Sequence, residues 1–241
     1  MNTNKIVPIF LLFFSFFLSS ETLTISTIEG SPISDIASLI LEEIYDRAGL
    51  ELKIVSMPAL RATREAIWGN TDGETHRVFS YGELHPELVI ISESYYTIET
   101  VLFTQKDNPA LHAERGSLYR YSFSILKGVE KSIELTKGYD QVSEFVTSDK
   151  IMEFLSLGRT DFALLSKLNG ISVINRLKLE GISIYTPPLE ITSLYHYLNK
   201  EHSHLVPLLE QTIRELKESG KLDEIIKRAE EQVMGRLIPV D

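Results

Sequence analysis

The sequence predicts an α/β protein of two similar lobes, each a mostly parallel sheet flanked by helices. Segments with strand periodicity alternate with segments of helical periodicity along most of the chain, which is the pattern of parallel sheets. The string Gly-x-Thr-Asp also occurs twice, ending at Asp72 and at Asp161, each time between a helical segment and an extended one. A unit used twice in this way indicates two lobes of related construction.

Composition is that of a globular protein. The chain has 241 residues, of which 43% are hydrophobic, and a net charge of −10. The acidic balance argues against binding to nucleic acid or to anionic membranes. Because the chain has no cysteine, disulfides, thiolate metal ligands and cysteine nucleophiles are excluded.

Residues 1–20 have the pattern of a secretory signal peptide. Lys5 precedes an almost wholly apolar run from Ile6 to Leu18, and Ser19-Ser20 supply small residues before Glu21. The apolar run is shorter than the roughly 20 residues that cross a bilayer, so we expect cleavage near Ser20 rather than a retained anchor. No later run is long or apolar enough to span a membrane. We therefore expect a secreted, periplasmic protein.

The first lobe is predicted to start the mature chain and to alternate strands with helices. Its predicted strands span residues 23–27, 50–56, 89–92 and 100–104, and a further short strand is predicted to start at the joint that ends at Asp72. Its predicted helices run from Ser34 or Asp35 to Gly49 and from Pro58 to Trp68. Glycine accepts the left-handed backbone that ends a helix, and proline fits the first helical turn.

The second lobe repeats the alternation. Its predicted strands span residues 122–126, 141–146, 161–165 and 182–185. Its predicted helices span residues 129–136, 148–157 and 168–178. Ser148 or Thr147 is expected to cap the middle helix of these three.

The C-terminal part differs from both lobes, and we expect it to pack back on the first. Charged amphipathic helices are predicted over 205–218 and 222–234, after a short extended segment at Ser193–Asn199 and a chain break at Pro187-Pro188. The expected division is 21–104 for the first lobe, 105–186 for the second and 187–241 for the return. The chain would then pass between the lobes twice, near residues 103–108 and 186–190, and these two connections would form a double hinge. Binding sites are common at such domain interfaces.

Several strings, in this order over residues 21–235, resemble the family 3 solute-binding proteins of bacterial ABC transporters, the periplasmic amino-acid-binding type. They are Pro58-Ala59-Leu60-Arg61-Ala62, Trp68-Gly69-Asn70-Thr71-Asp72-Gly73, Gly158-Arg159-Thr160-Asp161-Phe162-Ala163 and Leu216-Lys217-Glu218-Ser219-Gly220-Lys221-Leu222. The resemblance implies a type II periplasmic-binding-protein fold that closes on a small polar solute. It also implies a membrane permease as partner.

The sequence departs from that family at the ligand positions. The first loop, where an aromatic residue is usual, is Ile28–Pro32. Glu29 is the candidate ligand-binding residue of this loop. An arginine is usual some twelve residues past the first-lobe aspartate, and the near arginine here is Arg77. Ser166 stands where an acid usually holds the ligand ammonium group. The fold resemblance is therefore stronger than the resemblance to amino-acid recognition.

Arg77 is the first candidate for ligand binding, because a guanidinium group can bind a carboxylate through two hydrogen bonds. The open alternative is an ion pair with Glu74 or Asp72. Side chains alternate along an extended segment, so Thr75 would share the face of Arg77.

Further candidates lie at helix starts and at the single tryptophan. Arg61 lies early in the second helix and could hold an anion or lie on a solvated face. Trp68 could stack on a ligand or pack its helix against the sheet. Ser148 could bind an anion with free backbone amides or simply cap its helix.

Three hypotheses about function remain open at this level. The first is capture of a small polar or anionic, amino-acid-like solute between the lobes for ABC-type uptake, by a monomer without a cofactor. The second is a stand-alone sensor. The third is a dehydratase-like enzyme on the same fold, with Glu74 and His76 or Arg77 as acid and base. The six histidines form no metal-binding motif, and no catalytic residue is predicted.

Overall fold

The computed structural model describes residues 22–237, and the predicted signal peptide lies outside them. Within this range strands and helices alternate as predicted. The strands are β1 (Thr22–Ile28), β2 (Glu51–Met57), β3 (Gly73–Arg77), β4 (Leu88–Ile90), β5 (Tyr96–Gln105), β6 (Phe123–Leu126), β7 (Val142–Phe145), β8 (Phe162–Ser166) and β9 (Ile182–Asn199). The α-helices are α1 (Pro32–Ala48), α2 (Ala59–Ile67), α3 (Tyr81–Leu84), α4 (Glu130–Leu135), α5 (Ser148–Ser156), α6 (Lys167–Leu177), α7 (Val206–Glu218) and α8 (Lys221–Leu237).

The predicted α/β fold is confirmed, with one parallel block of strands in each half. In the first, β1 pairs in parallel with β2 and β3, and in the second β6 pairs in parallel with β7 and β8. The strands run in the order β2-β1-β3-β9-β5-β8-β6-β7, and β4 also pairs with β9. Because β5 and β9 are antiparallel to their neighbours, the curled sheet as a whole is mixed.

Strands β5 and β9 connect the two halves. Residues 195–199 of β9 pair with β3 and β4 of the first half, whereas β5 pairs with β8 of the second over Thr100–Phe103. Between those contacts, residues 96–100 pair with residues 190–194. We therefore place the crossings at 96–100 and 190–194, a few residues from the hinges that the sequence suggested.

The prediction that Pro187-Pro188 breaks the chain is wrong, because β9 is continuous from Ile182 to Asn199. The β5–β9 pairing shifts register there, from Thr100↔Glu190 to Leu102↔Tyr185. The two prolines thus lie in an irregular part of the ladder. Proline, which has no backbone N–H, is tolerated at such irregularities.

The repeated Gly-x-Thr-Asp string is a structural joint in both lobes. Gly69 and Gly158 have φ of 73° and 66°, the left-handed backbone that ends a helix. The Asp72 carboxylate accepts a hydrogen bond from the Thr24 amide of β1 at 2.6 Å, and that of Asp161 accepts one from the Ser122 amide before β6 at 2.9 Å. Each aspartate therefore fixes the strand next to its own.

Helices pack on the faces of the sheet and bury separate hydrophobic cores. One cluster joins β1 to α1, α7 and α8, with Ile25, Ile36 and Ile213 almost fully buried. The C-terminal helices thus pack on the first lobe. In the second lobe successive residues of β5 point to opposite faces of the sheet. Phe103 packs in the core against α5 and α6, and Leu102 packs in the other core with Phe123.

Gly73 permits the close pairing of β3 with β9. A Cβ atom at this position would overlap the carbonyl oxygen of Tyr197 and lie 3.0 Å from Cα of Leu198. Because backbone atoms cannot move aside cheaply, we expect Gly73→Ala to lower the free energy of unfolding by about 1–3 kcal/mol. Urea denaturation tests this. Gly116→Ala is the control, because nothing lies within 4 Å of its added methyl group, and an equal loss in both variants would contradict the prediction.

Candidate solute-binding cleft

Three adjoining cavities lie between the two lobes. Their volumes are about 220, 240 and 170 Å³. The first and second share Ile33, Ile98 and Ser166, and the second and third share Asn169. Together they form one cleft, whose middle is the 240 Å³ cavity.

The middle cavity has walls from both lobes. Ile33 and Val78 contribute from the first lobe, and Leu126, Val129 and Leu164 from the second. Neutral polar groups complete the lining. They are Thr100 and Thr192 on the crossing strands and Ser132, Ser166 and Asn169 in the second lobe.

Helix starts and strand ends bring these side chains together. Ile33 lies in the first turn of α1, which begins directly after β1 and its loop. Ser166 ends β8 and caps α6, accepting the amide of Asn169 through its hydroxyl at 3.4 Å. Asn169 therefore lies in the first turn of α6, with its side chain in the cleft. Ligands of α/β folds commonly bind at such strand ends.

Most charged side chains that line the cleft are in ion pairs, and Glu230 of the first cavity accepts the Tyr96 hydroxyl at 2.9 Å. Lys131 is the charged residue of the middle cavity, and its ammonium group lies 3.0 Å from Glu134 and 3.1 Å from Glu190. The hydrogen bonds that Lys131 donates to Glu134 and then to Glu190 raise the pKa of Lys131 above its ordinary value. Lys167 pairs with Glu99 at 2.8 Å in the first cavity, and Arg176 pairs with Asp149 in the third.

The structure places Arg77 inside the first lobe rather than in the cleft lining. Its guanidinium group pairs with Glu74, donates to the Thr63 hydroxyl at 3.3 Å and lies 5.0 Å from the centre of the Tyr81 ring. The side chains of Arg77 and Glu74 are 12% and 2% exposed. Thr75 is also buried, and its hydroxyl donates to Thr27 at 3.0 Å. The ion pair left open by the sequence is thus present.

Burial shifts the pKa of several ionisable groups around this ion pair. Burial, reinforced by the hydrogen bond to Glu74, raises the pKa of Tyr81 to about 12. Burial and then the charge of Arg77 lower the pKa of His76 to about 3, and burial lowers that of His196 to about 4. His196 donates from Nδ1 to the Glu74 carbonyl, so its Nε2 accepts from the Tyr45 hydroxyl at 2.8 Å. Both histidines are therefore neutral at physiological pH.

Arg61 and Trp68 lie on the outer surface of the first lobe. Arg61 pairs with Glu65 at 3.6 Å on the solvated face of α2. The Trp68 side chain is 65% exposed, with the Arg64 guanidinium 5.2 Å from its ring, so it does not pack α2 against the sheet as the sequence suggested. It borders a separate open groove with Glu87 and Lys200.

The other predicted residues lie at or beside the cleft. Ser166 lines the first and middle cavities, and Ser148 lines the third. The helix cap before α5 is made by Thr147, whose hydroxyl accepts the Lys150 amide at 3.3 Å. Glu29 is exposed in the first loop, next to Gly30 of the third cavity. Of the predicted set, the structure brings Ser166 and Ser148 into the cleft lining.

Most residues of the cleft could not be identified from the sequence. Ile33 and Val78 were not among the candidates, and Asn169 was placed only within the helix predicted over 168–178. Asn169 carried one usable signal, because it lies three residues after Ser166, in the first helical turn that faces the predicted ligand position. Apolar positions such as Val129 gave no signal that separates a cleft wall from a core.

Between residues 22 and 237, no helix is both long and apolar enough to cross a bilayer. In the same range, no group of three or more histidines and carboxylates is arranged to hold a metal ion.

Sequence comparison finds distant relatives, and no protein-family model matches the chain. An uncharacterized protein of Shewanella oneidensis is 24% identical over 200 residues, covering 80% of this chain and 75% of the relative. The L-cystine-binding protein TcyA of Bacillus subtilis is 23% identical over 206 residues, covering 78% and 69%.

Comparison with solved structures gives the type II periplasmic-binding-protein fold. The L-arginine-bound amino acid ABC transporter substrate-binding protein AbpA of Streptococcus pneumoniae has a TM-score of 0.64 at 17% identity, covering 88% of this chain and 95% of its own. The GluR0 ligand-binding core with L-glutamate has a TM-score of 0.71 at 12% identity, and the match covers 87% of this chain and 98% of that structure. The BvgS VFT2 domain of Bordetella pertussis has a TM-score of 0.67 at 16% identity, and the match covers 86% of this chain and 92% of that domain. The predicted resemblance to solute-binding proteins is confirmed at the level of the fold.

Proposed function

We propose that this protein binds a small solute in the cleft between its lobes, and that the lobes close on it to pass the solute to an ABC-type permease. The single observation that carries this proposal is the 240 Å³ cavity walled by both lobes at the crossing of β5 and β9. A solute there contacts both lobes at once, so its binding energy favours the closed arrangement. The solutes of AbpA and GluR0 are consistent with an amino-acid-sized guest.

Secretion and a periplasmic location belong to the same proposal. The signal-peptide pattern of residues 1–20 supports them, together with the extracytoplasmic setting of ABC-type solute binding. A monomer suffices for this function, because both walls of the cleft come from one chain.

A substitution that fills the cleft tests the proposal. Val129 lines the middle cavity and is 37% exposed, so Val129→Arg adds a bulky charge there without opening the core. We expect this variant to lose at least about tenfold in affinity, since burying an unpaired charge against a solute is costly. Leu157→Arg is the matched control, because Leu157 is 65% exposed at the opposite end of α5 from Ser148.

The measurement is mass spectrometry of the solute retained through native purification. We expect the parent protein and Leu157→Arg to retain it and Val129→Arg to lose it. If the parent retains none, thermal unfolding is followed with pools of amino acids, dicarboxylates and short peptides, where a ligand at about a hundred times Kd adds about 2.7 kcal/mol of stability. Equal retention by Val129→Arg, or no response to any pool, would contradict the proposal.

A sensor without a transport partner is the second candidate. The likeness to a histidine kinase sensor domain, with a TM-score of 0.67 at 12% identity, supports it. A permease gene beside the gene for this chain supports transport, and a signalling kinase gene supports sensing. Solute binding in the cleft is common to both roles.

We propose no catalytic role for the first-lobe polar groups. The enzyme hypothesis requires Glu74 with His76 or Arg77 as acid and base. All three are largely buried in the first lobe, Glu74 and Arg77 are bonded to each other, and none lines the three cleft cavities. A group that cannot reach the substrate cannot transfer its proton.

A further inference from the structure

We infer that the solute is an uncharged molecule, with an apolar body and an amide or hydroxyl group, rather than a free amino acid. This inference rests on the proposed cleft function and specifies its substrate class. It follows from the charges, the walls and the unpaired polar groups of the middle cavity.

The charged groups of the middle cavity do not match those of a free amino acid. A free amino acid carries an ammonium and a carboxylate group, and each loses its hydration when the lobes close. In the middle cavity the charged side chain is that of Lys131, and Glu134 and Glu190 already neutralise it. A buried ion without a partner costs several kcal/mol, so the middle cavity disfavours both ends of a zwitterion.

The guanidinium expected to hold a carboxylate is engaged elsewhere. Arg77 is bonded to Glu74 and Thr63 inside the first lobe. To reach a solute it would have to leave the buried Glu74 carboxylate without its counter-charge. That exchange gains one ion pair and loses another, and so provides little net binding energy.

The neutral groups of the cavity fit an amide or an alcohol. The Asn169 side-chain oxygen is buried and has no hydrogen-bond partner among the described residues. The Ser166 hydroxyl accepts the Asn169 amide, and its own hydrogen is free to donate. A solute N–H or O–H facing Asn169 and a solute oxygen facing Ser166 would satisfy both groups. The apolar remainder would lie against Ile33, Val78 and Val129.

Matched molecules test the inference. Calorimetry compares a panel of free amino acids with the same amino acids capped at both ends as N-acetyl amides, which keeps each side chain and removes both charges. We expect at least one capped compound to bind at least about tenfold more tightly than its free counterpart. We expect Asn169→Leu to weaken that binding by about tenfold or more, and Asn175→Leu, in the same helix but outside the cleft lining, to leave it unchanged.

The outcomes separate this inference from the proposed function. Tighter binding of a free amino acid overturns the inference while the cleft function stands. Equal binding by Asn169→Leu and the parent also overturns it. If neither set binds and the parent retains no solute through purification, the inference and the proposed function fail together.

Discussion

Replacing Glu74 with glutamine is expected to lower the free energy of unfolding by roughly 3–5 kcal/mol, because it leaves the buried Arg77 guanidinium without its counter-charge. Glu74 is 2% exposed, and its carboxylate also accepts the Tyr81 hydroxyl, so the substitution breaks a network that ties β3 to α2 and α3. Arg77→Met should cost a similar amount. Urea denaturation of each variant measures the loss.

Two comparisons decide what this loss means. The double variant Glu74→Leu/Arg77→Met should be destabilised by less than the sum of the single variants, because two apolar side chains leave no unpaired charge. Glu153→Gln breaks the exposed pair with Lys150, 2.7 Å long, and should cost less than about 1 kcal/mol. If Arg77→Met instead keeps full stability and abolishes solute binding, Arg77 is a ligand-binding residue and our account of it is wrong.

Stability should also fall steeply in mild acid, through His76 and His196. Both histidines have a folded-state pKa below the ordinary 6.5, at about 3 and about 4. The unfolded chain therefore binds more protons, and stability present above pH of about 6.5 is lost as the pH falls. Between pH of about 8 and about 5 we expect a loss of about 2 kcal/mol for each histidine.

The control for the acid effect is a histidine in contact with solvent. His76→Asn and His196→Asn should each remove about half of the change in unfolding free energy over this pH range. His112→Asn should leave the change intact, because His112 is exposed. The neighbouring charges are Arg77 beside His76 and the Asp72 carboxylate near Tyr45, the partner of His196. An unaltered pH profile in both core variants would rule out this explanation.

The sequence was a good guide to the fold because the relevant signals are local. Helical spacing, the glycines after helices and the repeated Gly-x-Thr-Asp joint each depend on a few neighbouring residues. Gly49 and Gly158 both adopt the left-handed backbone that their positions required. The continuous course of β9 through Pro187-Pro188 was missed, because it depends on its long-range partner β5.

The site was less predictable because it depends on register and on distant contacts. Strict alternation along β3 would place Glu74 and Arg77 on opposite faces. The β3–β9 pairing instead shifts between them, from Glu74↔Tyr197 to Arg77↔Tyr195, so Thr75 and His76 both oppose His196. This bulge brings the two charges together, and nothing in the local sequence marks it.

Cleft walls raise a different difficulty. Ile33 and Val129 are separated by almost a hundred positions and meet only after the lobes fold. An apolar side chain at such a position gives the same sequence pattern as one in a core. Ser166 was found through the family resemblance, which implies a ligand-binding position five residues after Asp161, and Asn169 follows Ser166 by one helical turn.

A crystal structure of this protein with its retained or selected solute is the most direct test of binding in the cleft. We predict solute between the lobes, in contact with Ser166 and Asn169 on one side and Val78 on the other, with Arg77 still bonded to Glu74. Solute bound elsewhere, for example in the open groove beside Trp68, or solute held by the Arg77 guanidinium, would contradict this prediction.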